Sequence, residues 1–371
     1  MELALFFTRN TSLKNWVDSG LFFREKLIYE QHLKQGSLSK IFWITYGVDD
    51  LEISNKLKEN NQLSRDIIIL SPPKILINIS RGYLYSILVS FLFFFKLRGV
   101  TIFKSNQLDG AWAALISSKL HLKQFYLRTG YTLSLFSKKQ SASSLKISFQ
   151  VLMERLCYYF ADITAVSSDG DKKYLQKYIS SNIQPNILYN YIDTDTFYDY
   201  KKERDDSFVF VGRLNKQKNL FNLLTVIRQL QYKIDIYGDG ELKETLALEF
   251  ASDLIRFKDK IDNNKIPQVL NKSQFYILPS FYEGMPKTLI EAMACGSLCI
   301  GTDVAGTNEL LDNKKGFLSK LTNQESLEKS IKEAFESQNK EEIIKRATFF
   351  IHSNFSLDSV SKKEQGFFLN N

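Results

Sequence analysis

Cysteine is scarce in this chain of 371 residues, which contains three: Cys157, Cys295 and Cys299. Three scattered cysteines are too few for a disulfide framework or a zinc site, and all of them lie in apolar stretches where cysteine acts as a small hydrophobic residue. We therefore expect reduced thiols and a cytoplasmic protein. A secretory signal is not expected, because the short apolar run 3–7 follows an acidic residue and has no basic segment before it.

An apolar run long enough to cross a membrane is also missing from the sequence. The longest run, residues 82–95, has 14 residues and is followed by Lys96 and Arg98, whereas a spanning helix needs about 20. We interpret this run as a helix buried in a domain, and a helix that also touches a membrane surface is the alternative.

Acidic residues are few in the first half of the chain. Residues 1–186 carry 24 Lys/Arg and 14 Asp/Glu, a net charge of 24 − 14 = +10, whereas residues 187–371 carry 25 and 27, a net charge of 25 − 27 = −2. Between residues 96 and 146, nine basic residues accompany one acid, Asp109. Such a segment suits an anionic membrane surface or a pyrophosphate-bearing acceptor, each basic residue near a membrane contributing about 1 kcal/mol. An ordinary solvated surface is the alternative, and nucleic-acid binding is not expected because no nucleic-acid motif accompanies the charge.

Short β-branched and aromatic runs alternate with helical segments along the whole chain, the pattern of parallel sheets with crossover helices. The predicted strands are 3–8, 41–46, 67–70, 100–103, 124–127, 163–166, 208–211, 233–237, 255–257, 275–278 and 298–302. The predicted helices include 23–35, 107–120, 145–160, 169–178 and 357–368. The length exceeds that of a usual single domain, and the alternation breaks at the polar segment 180–197, which we interpret as a linker. We expect an α/β fold of two Rossmann-like domains facing across a cleft, with ligands at the carboxyl ends of the strands.

Two glutamates separated by seven residues mark the segment 275–311. Glu283 lies in the loop after a predicted strand, and Glu291 lies about one turn into a helix that begins near Pro286, a residue suited to a first turn. Gly284 permits close approach of a ligand to the backbone, and a diphosphate would be favoured by the amide groups and dipole at the helix start. A surface loop with two solvated glutamates is the alternative, and it fits poorly with the apolar helix that follows.

Two cations follow the first strand of the second half. In the segment 208–218 a strand runs into a glycine turn, with Arg213 at its end and Lys218 five residues later. A leaving nucleoside diphosphate gains negative charge as its bond to the sugar breaks, and fixed cations at its oxygens lower that barrier without a metal. Taken alone, this motif is equally compatible with a structural ion pair.

In combination, these motifs resemble the group 1, family-four retaining glycosyltransferases in order and spacing over residues 154–320. The matching motifs are Gly212-Arg213 with Lys218, Tyr237-Gly238-Asp239-Gly240-Glu241-Leu242, Pro279-Ser280, Glu283-Gly284, Glu291-Ala292, and Gly306 with Glu309. Two positions depart from the family pattern, because Tyr191 and Asn219 stand where the family usually has glycine. Both are turn substitutions that asparagine or an adjusted backbone tolerates.

The resemblance implies a GT-B fold with an acceptor-binding domain at 1–185 and a donor-binding domain at 186–355. It also implies that the C-terminal helix 356–371 packs back on the first domain. The implied activity is that of a hexosyl- or N-acetylhexosaminyltransferase, which moves a sugar with retention from a nucleotide-sugar. A UDP-sugar is favoured as donor, and no cofactor or metal ion is implied.

The resemblance also assigns roles to individual residues of the second domain. Arg213 and Lys218 would hold the donor pyrophosphate, Glu291 would contact the ribose, and Glu283 would orient the donor sugar and stabilise charge without acting as a nucleophile. The other implied donor-binding residues are Gly212, Lys260, Ile261, Gly284, Met285, Pro286 and Lys287.

The first domain departs more from the family, whose members commonly carry a Gly-Gly loop after the first strand and a histidine near the cleft. The three histidines of this chain, His32, His121 and His352, fall in predicted helices, and Arg128 stands near the place of the family's histidine. The acceptor-side candidates are Ser19, Gly20, Arg128 and Tyr131. We favour a lipid-linked or growing surface polysaccharide as acceptor at the inner face of the membrane, with the protein peripherally attached there.

Several other interpretations were weighed. The motifs 193–195 and 169–171 have the Asp-x-Asp form of metal-bound diphosphate sites, but they lie at linker and helix-cap positions that favour local hydrogen bonding by aspartate. The segment 237–240 is too short for a dinucleotide fingerprint. A nucleotide-sugar epimerase or hydrolase on the same fold, and a catalytically silent scaffold of a polysaccharide pathway, are the alternative functions.

Overall fold

The computed structural model describes residues 1–76, 82–130, 132–139 and 143–369. The chain divides into two compact units, Met1–Tyr189 with Val360–Asn371, and Asn190–Ser359. The division falls inside the segment 180–197, which the sequence predicted as a linker.

The first unit is built on a seven-stranded sheet in which all neighbouring strands are parallel. Its strands are β1 (Glu2–Phe6), β2 (Lys40–Ile44), β3 (Ile67–Leu70), β4 (Ile102–Ser105), β5 (Gln124–Thr129), β6 (Ile163–Val166) and β7 (Asn186–Ile187). They lie in the order β3-β2-β1-β4-β5-β6-β7, so the direction of winding reverses between β1 and β4. The strands are mostly buried apolar runs, because parallel sheets are covered on both faces.

Helices connect these strands and cover the sheet. They are α1 (Leu13–Asp18), α2 (Phe22–Lys34), α3 (Asp50–Glu59), α4 (Tyr83–Leu92), α5 (Ala111–His121), α6 (Leu133–Lys139), α7 (Ser144–Phe160) and α8 (Asp169–Tyr174). The last of them continues as a π-helical turn, Leu175–Ile179, where the sequence predicted one uninterrupted α-helix over 169–178.

The second unit is built on a six-stranded parallel sheet. Its strands are β8 (Asp205–Val211), β9 (Ile234–Tyr237), β10 (Ile255–Lys258), β11 (Ser273–Leu278), β12 (Leu298–Thr302) and β13 (Phe317–Ser319). Its helices are α9 (Leu220–Leu230), α10 (Lys243–Phe250), α11 (Ile266–Lys272), α12 (Lys287–Ala294), α13 (Ala305–Leu311), α14 (Gln324–Glu336) and α15 (Lys340–Phe355). The strand order β10-β9-β8-β11-β12-β13 is that of a Rossmann sheet, and here the winding reverses between β8 and β11.

A last helix, α16 (Leu357–Leu369), has its residues from Val360 onward in the first unit. Its Glu364 is fully buried and accepts hydrogen bonds from Lys104 Nζ (2.8 Å), Tyr126 OH (2.9 Å) and His32 Nε2 (2.9 Å). A carboxylate inside a core is stable only with such partners, so this cluster fixes the helix to β4, β5 and α2.

The predicted strands are confirmed, with boundaries that shift by a few residues at most. Two short edge strands, β7 and β13, were not predicted, because two or three residues carry too little pattern. The helix predicted at 107–120 begins at Ala111, since residue Gly110 before it has a left-handed backbone with φ 96°.

The apolar run 82–95 forms α4 but is only half buried, which corrects the expectation of a buried helix. Tyr85 and Val89 are buried, whereas Ile87, Phe91 and Phe95 are exposed. Across the described ranges, no helix has both the length and the hydropathy that a membrane span requires. The three cysteines are free thiols and buried, as expected.

Candidate functional site

The predicted donor-side residues lie at the carboxyl edge of the second sheet, formed by the segments that follow β8, β9, β11 and β12. Gly212, Arg213 and Lys218 follow β8, and Glu283 with Gly284 follows β11. These two strands are neighbours at the point where the winding reverses, and such a switch point is where open α/β sheets bind their ligands. Residues that are about 70 positions apart in sequence are thereby brought together.

Lys218 and Glu283 form a direct ion pair at this edge. The distance from Lys218 Nζ to Glu283 Oε1 is 2.6 Å, and the two side chains are 15% and 8% exposed. The pair is thus largely shielded from water, where a charge-assisted hydrogen bond is stronger than at a surface. A cation and a carboxylate are thus held together at the switch point of the sheet.

The turn that carries Lys218 is joined to the loop that carries Glu283. The backbone carbonyl of Gln217 accepts from Phe281 N (2.9 Å), and its side-chain amide donates to the Tyr282 carbonyl (2.8 Å). Asn219 donates to the carbonyls of Pro279 (3.1 Å) and Thr322 (2.8 Å). These bonds hold the two loops in a fixed relation, so the ion pair sits on a rigid support.

Asn219 occupies a left-handed backbone conformation with φ 54°. This is the conformation that glycine adopts most readily and that asparagine tolerates best among the other residues. The sequence interpretation of Asn219 as a tolerated replacement for glycine is therefore confirmed.

Three glycines at this edge are required by close backbone packing. A Cβ at Gly238 would lie 1.9 Å from the Gly212 carbonyl oxygen, and one at Gly240 would lie 2.5 Å from that of Leu214. A Cβ at Gly306 would lie 1.5 Å from the Gly284 carbonyl oxygen. No side chain fits at these distances, so the glycine motifs hold the loops after β9 and β12 against the segments after β8 and β11.

Helix α12 begins at Lys287, directly after Pro286, as predicted, and its first-turn amides lack intrahelical acceptors as in any helix. Glu291 lies one turn further and is buried, 4% exposed. Tyr276 of β11 donates its hydroxyl hydrogen to Thr288 Oγ1 (2.8 Å). Burial raises the pKa of Tyr276 well above its usual value, and the negative charges of Glu283 and Glu291 raise it further. The tyrosine therefore stays neutral and links the helix start to the strand.

The other end of α12 is anchored by Arg204, which is buried against it. Its guanidinium donates to the Cys295 carbonyl and to the Leu270 carbonyl (2.8 Å), and forms an ion pair with Asp199 (3.1 Å). The orientation of the helix, and with it the position of its amino end, is fixed by these contacts.

The remaining donor-side residues differ in exposure. Arg213 is exposed, and within the described residues its guanidinium makes no hydrogen bond or ion pair. Lys287 lies at the start of α12, with its Nζ 5.8 Å from the centre of the Tyr191 ring. Lys260 and Ile261 follow β10 at the same edge, two strands from β8, and Lys260 is exposed.

The first unit has a cavity at its own switch point, between β1 and β4. Its volume is about 670 Å³, and it is lined by the ends of both strands together with α1 and the segment after it. Among the lining residues are Trp16, Ser19, Asn106 and Gln107. The predicted acceptor-side residue Ser19 therefore lies at a cavity, and Gly20 beside it has φ 73°.

Arg128 does not line this cavity. It lies within β5, where its Nη2 donates to the Leu188 carbonyl (3.4 Å), so the structure does not bring it to Ser19. Tyr131, the fourth acceptor-side candidate, lies outside the described residues. The first-strand loop lacks the family's glycines, and Asn10 supplies its left-handed position with φ 63°.

Both Asp-x-Asp motifs make local hydrogen bonds, as interpreted, and Asp171 also bonds a residue 39 positions away. Asp193 accepts from Asp195 N (3.1 Å) and from the Thr196 hydroxyl (2.6 Å). Asp171 accepts from the hydroxyls of Ser168 (2.7 Å) and Thr132 (2.9 Å). Over the ranges that the structure describes, no group of three His, Cys, Asp or Glu side chains could hold a metal ion.

Sequence analysis missed several residues that build the site, among them Gln217, Tyr276 and Arg204. The contacts of Gln217 and Arg204 join segments 65 and 91 positions apart, which no local pattern reveals. Tyr276 bonds Thr288, 12 positions away, and its place in the apolar run 275–278 was an available signal, since a buried hydroxyl needs a partner.

The sequence and the fold of the chain are similar to those of known glycosyltransferases. Residues 193–349 match the sequence profile of the family Glycosyl transferases group 1. The chain is 26% identical over 253 residues to an α-1,4-N-acetyl-D-galactosaminyltransferase of Campylobacter jejuni, which is named for a diphospho-undecaprenol-linked acceptor. This match covers 65% of the present chain and 67% of the relative. The chain is 36% identical over 137 residues to an Escherichia coli UDP-Gal:α-D-GlcNAc-diphosphoundecaprenol α-1,3-galactosyltransferase. This second match covers 33% of the present chain and 35% of the relative. The matched stretches thus span between about a third and two thirds of these relatives.

Among solved structures, the fold is similar to that of Anabaena Alr3699/HepE in complex with UDP, with a TM-score of 0.76 over 100% of both chains and 14% identity. At that identity the likeness concerns the fold alone. Residues 193–349 are thus similar in sequence to group 1 glycosyltransferases, and the chain has the GT-B fold, as its motifs predicted.

Proposed function

We propose that the protein is a retaining glycosyltransferase that moves a hexosyl or N-acetylhexosaminyl group from a nucleotide-sugar to a lipid-linked saccharide, without a metal ion. The observation that carries the proposal is the shielded Lys218–Glu283 ion pair at the switch point of the second sheet. It lies within the domain that matches the family.

The donor diphosphate would occupy the carboxyl edge of the second sheet. Lys218 and the exposed Arg213 supply two positive charges there, and the first-turn amides of α12 supply donors for phosphate oxygens. As the leaving diphosphate gains charge, these groups stabilise the transition state in place of a divalent cation. The support for metal independence is Lys218, which its ion pair with Glu283 holds in place.

The proposed reaction takes place on one face of the donor sugar. The bond from the anomeric carbon to the phosphate oxygen breaks, the acceptor oxygen bonds to the same carbon from the same side, and the acceptor proton passes to the leaving phosphate. Glu283 would orient the donor sugar and offset positive charge at the ring, and Glu291 would contact the ribose. A UDP-sugar is favoured, since a solved neighbour is a UDP complex and one relative is named for UDP-Gal.

The acceptor is proposed to bind in the cavity of the first unit. Its lining combines an aromatic ring, Trp16, with hydroxyl, amide and carboxylate side chains such as Ser19, Asn15 and Asp18. This mixture suits the hydroxyl groups and apolar faces of a saccharide. Two curated relatives are named for undecaprenol-linked acceptors, which supports a lipid-linked acceptor and a working position on the cytoplasmic face of a membrane.

Two measurements test the proposal in sequence. Thermal unfolding is first measured with a panel of uridine, guanosine and adenosine diphosphate sugars, since a bound donor raises Tm by mass action. The donor with the largest shift is then incubated with a diphosphate-linked acceptor, and the new anomeric signal is assigned by proton NMR. We expect the anomeric configuration of the donor in a saccharide product. Free sugar alone, an epimerised donor, or an inverted linkage would contradict the proposal.

Lys218→Ala or Glu283→Ala should lower turnover in this assay by on the order of 100-fold, the scale for loss of one preorganised stabilising group. Lys332→Ala, which removes an exposed lysine of α14, is the matched control and should leave turnover unchanged. Near-normal rates in both site variants would remove the proposed mechanism.

A further inference from the structure

Helix α7 carries a stripe of large apolar side chains on its exposed face. The side chains of Leu145, Phe149, Leu152 and Leu156 are 86%, 63%, 53% and 42% exposed. They are spaced at i, i+4, i+7 and i+11, so they form one continuous stripe along the helix. We call these four residues the α7 stripe. A helix on a soluble protein normally turns such a stripe toward the core.

The inward face of the same helix is partly polar, since Gln150 and Glu154 are buried there beside Cys157 and Tyr158. Glu154 accepts from the backbone amide (3.1 Å) and hydroxyl (2.6 Å) of Ser134. All leucine and phenylalanine side chains of α7 are exposed, whereas a glutamine and a glutamate of the same helix are buried.

Helix α4 also exposes apolar side chains. On its outer side, Ile87 and Phe91 are 50% and 59% exposed, whereas Tyr85 and Val89 are buried on its inner side. The exposed apolar residues of two helices form a larger apolar surface than isolated exposed residues make.

The two helices belong to one layer, because α4 packs on α5 and α5 packs on α7. Residues 82–161, which comprise these helices, β4, β5 and the connecting loops, carry ten Lys/Arg and two acids, a net charge of 10 − 2 = +8. Of these charged residues, Lys104 is buried against Glu364, Glu154 is buried, and Asp109 is paired with Arg9 at 3.0 Å. An apolar outer surface thus coincides with a segment of strongly positive charge.

We propose that the outer face of α4 and α7 is a docking surface for an anionic lipid bilayer, with the α7 stripe lying in the plane of the interface among the lipid headgroups and upper acyl chains. Apolar side chains flanked by cations are the signature of an interfacial helix, and Lys146 and Arg155 flank the stripe on α7. A second copy of the chain fits this surface less well, since a two-fold interface would bring the same positive charges face to face. The biological role of this docking surface rests on the proposed function. Lipid binding itself does not, because it is measured without donor or acceptor.

The first experiment places a probe in the stripe. The three native cysteines are buried, so Leu152→Cys introduces an exposed thiol that can carry an environment-sensitive fluorophore. With vesicles of phosphatidylglycerol and phosphatidylcholine, the emission should shift to the blue and strengthen. Vesicles of phosphatidylcholine alone should give a much smaller change. Leu248→Cys, at a residue 90% exposed in the second unit, is the matched control and should show no shift.

The second experiment removes the stripe. Phe149→Ser with Leu152→Ser should lower the partition onto anionic vesicles by at least about tenfold, because both side chains lose their contact with lipid. The control, Leu248→Ser with Phe349→Ser, removes residues of similar exposure from the second unit and should leave binding unchanged. The affinity for nucleoside diphosphate should be the same in all three proteins, so a failure of donor binding is distinguished from a failure of docking.

Equal vesicle binding by the stripe variant and the wild type would overturn the proposal. So would a wild-type protein that sediments as a dimer, binds no vesicles and becomes monomeric in the stripe variant. Binding that is equally strong on neutral and anionic vesicles would contradict the assigned role of the charge.

Discussion

At the scale of single residues, the central feature is that the proposed phosphate-binding cation is already paired. Lys218 is held by Glu283 at 2.6 Å, so a diphosphate that binds Lys218 competes with a carboxylate of the protein. The same carboxylate is the group proposed to orient the donor sugar. The two charged side chains therefore hold each other in position before the donor binds. When the donor binds, contacts of Lys218 with phosphate and of Glu283 with the sugar replace part of their ion pair.

Replacing Glu283 separates these two roles. Glu283→Gln retains the shape of the side chain and removes its charge, so Lys218 becomes available to phosphate. We expect the nucleoside diphosphate alone to bind roughly fivefold more tightly, from a pair interaction of about 1 kcal/mol, while turnover falls about 100-fold. Titration calorimetry and the transfer assay measure the two effects. Weaker binding of the nucleoside diphosphate by this variant would contradict the competition.

The residues that sequence analysis found were those with a local signal. Glu283 and Glu291 have seven residues between them, around a glycine and a helix start, and Arg213 and Lys218 follow one strand. The resemblance of these motifs to a known family then related them to diphosphate chemistry. Gln217 could not be found in this way, because its function is to bond a loop 65 positions away. Arg128 was a candidate through its place in the sequence, and the structure directs it to the Leu188 carbonyl instead.

At the scale of elements, the site depends on loops packed backbone to backbone. Helix α13 approaches the Glu283 loop so closely that the Gly284 carbonyl oxygen occupies the place of a Cβ on Gly306. The position of that loop is thus determined by a neighbouring element and not by its own sequence.

Gly306→Ala should therefore displace the loop that carries Glu283. We expect a loss of stability of about 1–3 kcal/mol, the usual cost of overpacking, and a fall in turnover of roughly 100-fold, since a displacement of about 1 Å is enough for that. Gly366→Ala is the matched control, because a Cβ there meets nothing within 4 Å. As a substitution within α16 it should stabilise the protein by about 0.5–1 kcal/mol. Chemical denaturation measures the free energy of unfolding of both variants, and the transfer assay measures their turnover. Equal stability and equal turnover in the two variants would refute the packing argument.

Sequence patterns located the elements well but not always their orientation. Helix α7 was predicted at 145–160 and is observed at Ser144–Phe160, yet its apolar stripe faces outward. The periodicity of a helix shows that it has two faces, and the usual rule assigns the apolar face to the core. That rule fails where the helix has a second apolar environment to face.

At the scale of the whole molecule, the C-terminal helix is joined to the first unit by a buried charge cluster. Glu364 contacts Lys104 and His32, which lie 260 and 332 positions away in sequence. Burial alone would raise the pKa of Glu364, but the charge of Lys104 and the hydrogen bond from His32 outweigh burial and hold the pKa well below 4.5. No sequence pattern relates such distant residues, so this cluster was not predicted.

The lowered pKa of Glu364 predicts a defined dependence of stability on pH. A carboxyl whose pKa is depressed on folding stabilises the protein above its unfolded pKa of about 4.3 and loses that contribution as pH falls toward its folded pKa. Glu364→Gln should lower the free energy of unfolding at pH 7 by about 3–5 kcal/mol, because Lys104 is left buried without its partner. Between pH 5 and 3 the variant should lose less stability than the wild type.

Unfolding curves at several pH values test this prediction. Glu328→Gln, which removes one member of an exposed pair with Lys332, is the control and should change Tm little at any pH. If Glu364→Gln has the same free energy of unfolding as the wild type at pH 7, the cluster does not hold the C-terminal helix.

The most direct test of the central claim is the affinity for a nucleoside diphosphate in the presence of a chelator. The account predicts that wild-type protein binds it with the same Kd with and without EDTA. Lys218→Ala and Arg213→Ala should each weaken binding at least about tenfold, as expected for loss of a charged contact, whereas Lys332→Ala should not. Binding that disappears with EDTA, or that is equally tight in both site variants, would contradict the proposal that fixed cations hold the diphosphate at the edge of the second sheet.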